Sequence, residues 1–89
     1  MTNRLDKSLE ALRLLAQSSE LEATRLMTAE IRIREFLRPV VADRAARRAA
    51  LDDLKIAVKR EAELKPREAP FWKAIGNFIA QRLAMLGNS

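Results

Sequence analysis

Eighty-nine residues, 48% hydrophobic and 33% charged with only 4% aromatic, describe one small domain or an elongated assembly subunit, and exclude two independent cores. The chain has no cysteine and no histidine, which excludes disulfides, Cys/His metal sites and the Glu-x-x-His pattern of helical di-metal proteins. The formal charge of +5 invites a nucleic-acid partner, yet residues 1–37 hold six basic and six acidic side chains, residues 38–70 nine and six, and residues 71–89 two and none.

Richness in Ala, Leu, Glu, Lys and Arg, with two glycines and three prolines, predicts an all-α fold of three helices over about 3–37, 40–64 and 70–86. The first helix starts at Asn3, a good N-cap, with Asp6 and Glu10 near its positive end. Leu5, Leu9, Leu12, Ala16, Ala23, Leu26, Ile33 and Leu37 recur at steps of four and three, which puts them on one stripe. Ser19 with Glu22 matches a capping box and would allow a break at "QSSE". The stripe resumes in register beyond it, so one continuous helix is the expectation.

Pro39 is the first strong punctuation, and the chain should kink or reverse there. Counted from Leu5, the heptad passes Pro39 without slipping, through Val40, Arg44, Arg47, Leu51, Leu54 and Val58. Twelve of its sixteen a/d positions are apolar, against 48% for the chain. Residues 1–65 therefore read as a long amphipathic helical hairpin or kinked coiled coil, with residues 66–89 a C-terminal aromatic helix of the same domain. A helix over 3–37 would span roughly 50 Å at ~1.5 Å per residue, so an elongated shape is expected. An elongated shape leaves apolar stripe uncovered. Self-association through Leu5, Leu9, Leu12, Leu26, Ile33 and Leu37 follows, with a homodimer as the default and a higher oligomer as the variant.

The second helix carries Ala42, Ala46, Ala49 and Ala57 on a second side, either for close packing or simply because alanine forms helix well. Arg44, Arg48, Lys55 and Lys59 share one side and are the candidate nucleic-acid contacts. Asp52 sits among them, close enough in sequence to pair with Arg48 and Lys55, which favours a solvated face. Arg44 and Arg47 also fall on the seam, where pairing with Glu30 is conceivable. No general acid–base pair is evident: Asp52 and Asp53 point about 100° apart on a helix, and Glu61 and Glu63 diverge further. No Gly-rich phosphate loop occurs either, and the reading is of a protein that is not an enzyme and carries no cofactor and no metal.

"KPREAP" links the second helix to the third, with Pro70 suited to a first helical turn and Gly87 to a left-handed C-cap. Phe71, Ile75, Phe78, Ile79 and Leu86 share one side, with Trp72 and Leu83 at its margin and Lys73, Asn77 and Gln81 opposite. A free helix of this length in water is marginal, so that face must fold on something: its own protein, a partner's groove or an anionic membrane surface. The N-terminal "MTNRLDKSLEALRLLAQSS" has no apolar signal core, which together with the missing cysteine suggests the cytoplasm. The expected function is a non-catalytic interaction module — adaptor, assembly or inhibitory subunit — that binds another protein through the third helix. Nucleic-acid binding by the second helix and membrane association by the third are the alternatives.

Overall fold

In the computed structural model, which describes residues 3–87, the chain forms four α-helices where three were expected: α1 (Arg4–Ala16), α2 (Glu22–Leu37), α3 (Arg44–Leu64) and α4 (Ala69–Gly87). Single 3-10 turns at Arg38–Val40 and Pro66–Glu68 carry the last two connections. No strand occurs among the described residues.

The expected 3–37 rod is broken at residues 17–21. Asn3 caps α1 as anticipated, its Oδ1 accepting from the Asp6 amide at 2.8 Å. At the other end the Ser18 hydroxyl accepts from the Glu20 amide at 3.1 Å, a local turn that competes with continued helix. Ser19 does not cap: the residue before α2 is Leu21, which has no capping side-chain bond. The energetic reason for the reversal is burial. Folding back puts Leu9, Leu12 and Ala16 of α1 against the same core as Ala29, Ile33 and Phe36 of α2, which a rod would have left in water. Ala23, a member of the sequence stripe, is exposed, and so is Ser19, which falls at an a/d position of the same heptad. The heptad register across 17–21 and Pro39 thus belongs to packed helices that change direction, not to one seam.

At Pro39 the chain turns. The Val41 amide bonds back to the Arg38 carbonyl at 3.3 Å and the Asp43 amide to the Val40 carbonyl at 3.0 Å. Asp43 then caps α3, accepting from the Ala46 amide at 3.0 Å, which starts that helix four residues later than expected. Beyond the Pro66–Glu68 turn, α4 runs back along α3: Arg44, at the start of α3, donates to the Leu86 carbonyl near the end of α4. Gly87 lies within α4, and no described glycine has positive φ, so the left-handed cap expected there is not formed.

The result measures 36 × 32 × 23 Å with a radius of gyration of 12.7 Å, in place of the expected elongated hairpin or coiled coil. α3 and α4 form the most extensive pair, α1 and α2 a second, and α4 also lies on α2. Trp72 is completely buried at the centre, stacked on Phe71 with ring centroids 5.4 Å apart. Its Nε1 donates to Glu68 Oε1 at 3.0 Å, so the indole is buried without losing its hydrogen bond.

Three arginines close three helix ends. Arg4 donates to the Phe36 carbonyl at the end of α2, with its guanidinium 5.1 Å from the Phe36 ring centroid. Arg25 reaches the Leu15 and Ala16 carbonyls of α1 at 3.5 and 3.4 Å and lies 5.7 Å from the Phe71 ring centroid. Arg44 does the same for α4 at Leu86. Each supplies a donor to carbonyls at the last turn of a helix, and a cation to the negative end of a helix dipole. Part of the basic excess is therefore structural.

Candidate functional site

The aromatic face of α4 points inward. Phe71, Trp72, Ile75, Ile79 and Leu86 are buried, and Phe78 and Leu83 are half-buried against the same core. Of the residues expected to hold an oligomer, Leu9, Leu12 and Ile33 are buried within the chain and Leu5, Leu26 and Leu37 pack half-buried beside them. Both sets are occupied by their own protein.

The second-side alanines of α3 divide. Ala57 packs on the core, Ala46 is half-buried, and Ala42 and Ala49 are exposed. Of the basic set, Arg44 is engaged at Leu86, while Arg48, Lys55 and Lys59 are exposed. Among the described residues neither Arg48 nor Lys55 pairs with Asp52, and Glu30 faces Arg34 at 4.0 Å rather than an arginine of α3.

Two features of α3 were not anticipated from sequence. The first is a charged cluster at Glu61, whose side chain is only 7% exposed. Arg13 of α1 donates to its Oε1 through Nε at 2.8 Å and Nη2 at 2.6 Å, a two-nitrogen grip on one oxygen. Lys65 Nζ stands 2.8 Å from Oε2, an ion pair outside hydrogen-bond angles. Burial pushes the carboxyl upward, but the close Lys65 ammonium and the hydrogen bonds and charge of Arg13 outweigh it and hold Glu61 below its ordinary 4.5. The same contact with Glu61 raises Arg13 against the opposing effect of its own burial. The cluster ties α1 to the end of α3. All three members are engaged with one another, which marks it as structural.

The second is an open groove of about 680 Å³ between α3 and α4. Val58, Ala62, Ala69, Gly76 and Ala80 make its apolar lining, with Trp72 beneath. Lys55 and Lys59 stand on the α3 side, Lys73 and Asn77 on the α4 side, and Glu63 near one end; all are exposed. No described residue forms an ion pair with any of the three lysines. The sequence signal for the groove was the succession of small residues on the side of α4 next to Trp72, between a buried aromatic face and a polar one. It is too short to stand out from ordinary alanine content.

Among the described residues no group of three or more carboxylates is placed to hold a metal ion, and no helix is long and apolar enough to cross a membrane. Fold and surface together define the class: an all-α four-helix domain with an apolar groove beside cations that form no ion pair among the described residues. No protein-family model, no curated protein and no solved structure is similar to this chain.

Proposed function

We propose that this chain is a non-catalytic, cytoplasmic helical interaction module that docks a partner protein over the groove between α3 and α4. The observation that carries the reading is that groove: apolar-lined, open to solvent and within the ~300–1,000 Å³ range of ligand sites. It lies beside the buried face of α4, with Trp72 shared between the two, and is open to solvent in the folded chain, so docking there requires no helix to leave the core. Self-association through Leu5, Leu9, Leu12, Leu26, Ile33 and Leu37 is not part of the reading, because Leu9, Leu12 and Ile33 are buried within the chain and the other three pack half-buried beside them.

The test is a photo-cross-linking side chain placed at Asn77, on the groove rim, in cells. The expected result is a discrete cross-linked protein that disappears when Gly76→Leu fills the groove while circular dichroism and Trp72 emission stay as in the parent. Cross-linking that Gly76→Leu leaves unchanged overturns the reading.

One observation favours a second reading. Arg48, Lys55 and Lys59 are exposed on α3 and form no ion pair among the described residues, a short row of cations available to phosphates. Retention on DNA at low salt that is lost in a charge-reversed triple variant would favour it. No retention at low salt rules it out.

A further inference from the structure

We infer that the occupant of the α3–α4 groove is an acidic amphipathic helix of a partner protein; this rests on the groove being the docking surface. Three observations point the same way. The lining runs from Ala69 to Ala80 along α4, about 16 Å at ~1.5 Å per residue, the length of roughly three turns of a docked helix. Ala62, Ala69, Gly76 and Ala80 make up much of its apolar lining, and such small residues let another helix backbone approach closely. Gly76 in particular is not demanded by the fold: a Cβ there would meet nothing nearer than Val58 Cγ1, at 4.0 Å. A glycine in mid-helix weakens that helix, and here what it provides is open space in the groove.

Charge then selects the occupant. Lysines flank the apolar floor on both sides, Lys55 and Lys59 from α3 and Lys73 from α4, against the single Glu63. An amphipathic helix whose apolar stripe is bordered by Glu or Asp meets both flanks at once. Other occupants complement it less well. A nucleic-acid backbone gains nothing from an apolar floor, and a flat membrane surface cannot follow a concave one. A second copy has no acidic helix to offer: α2, which exposes Met27 and Ile31, carries three glutamates against three arginines.

The test uses the full chain and two synthetic helical peptides of about 18 residues. Both carry a Leu/Ala stripe, flanked by Glu in one and by Lys in the other. Affinity is read by fluorescence anisotropy and location by amide shifts at Lys55, Lys59, Lys73 and Gly76. The acidic peptide is expected to bind at least about tenfold tighter at low salt, with the gap closing towards ~0.5 M salt as rim charges are screened. Lys55→Glu with Lys73→Glu, both surface changes, should reverse the order of the two peptides. Gly76→Leu should weaken the acidic peptide at least about tenfold by filling the space it enters.

Equal binding of the two peptides, unmoved by charge reversal, overturns the acidic occupant and leaves the module reading standing. Binding that Gly76→Leu does not weaken removes the groove itself, and both readings with it. A short DNA duplex that displaces the acidic peptide and shifts the same amides assigns the lysines to phosphates and overturns the inference.

Discussion

Two charged regions meet within one turn of α3, and they are built on opposite terms. At Glu61 the carboxylate is almost fully buried, and Arg13 and Lys65 both close on it. At Lys59 and Glu63, two residues to either side, the side chains are exposed beside an apolar groove and make no ion pair among the described residues. Burial forces the first arrangement, because an ionised group withdrawn from water without partners is heavily penalised. Nothing forces the second. The comparison separates charges that the fold itself consumes from charges it leaves available.

The largest expected effect comes from breaking the first region. Arg13→Ala leaves Glu61 buried with Lys65 alone and should lower unfolding stability by about 2–4 kcal/mol, towards the upper end if the carboxylate stays ionised. Lys59→Ala, at the groove, should stay within about 0.5 kcal/mol of the parent. Urea melts of the two variants measure both, and equal losses would erase the distinction. Glu61→Met sharpens it: an apolar side chain of similar length removes the buried charge and leaves Arg13 and Lys65, each about a third exposed, free to re-solvate. That variant should be much closer to the parent than Arg13→Ala.

Acid titration probes the same contrast without mutation at the groove. Because Glu61 is held below 4.5 in the folded protein, its contribution to stability is fully present above that value and is lost as pH falls through the lowered one. Melting temperature should therefore drop below about pH 4.5, and the drop should be shallower in Glu61→Met. An identical acid profile in both would place the sensitivity elsewhere.

Helix content, the Asn3 cap, the break at Pro39 and the shared apolar side of Phe71, Ile75 and Ile79 were legible because each rests on local chemistry or a 3.6-residue period, whereas the direction of the chain after Pro39 and what that side packs against were not. Nor was the reversal at residues 17–21. The apolar stripe stays in register across it, and periodicity reports which side of a helix is buried without reporting where the chain changes direction. Glu61 was illegible for a related reason: its partner Arg13 is 48 residues away, and only the packing of α1 on α3 brings them together. The groove was half-legible. Lys55 and Lys59 stood out as basic residues, whereas Lys73, Gly76 and Ala62 acquire meaning only once α4 lies along α3.

The smallest predicted effect bears most directly on what the groove is for. Gly76 lies well inside α4 with ordinary backbone dihedrals, where glycine is less favourable than alanine by about 0.8–1 kcal/mol. The nearest atom to an added Cβ, Val58 Cγ1, lies at 4.0 Å, an ordinary van der Waals separation. Gly76→Ala should therefore stabilise the protein by about 0.5–1 kcal/mol, read as a small rise in the urea midpoint with an unchanged slope. A gain of that size would mean that the fold forgoes stability at this position, and the groove is the local feature that a missing methyl group serves. A loss would mean instead that the α3–α4 spacing depends on glycine, and that the groove is a consequence of how the two helices pack.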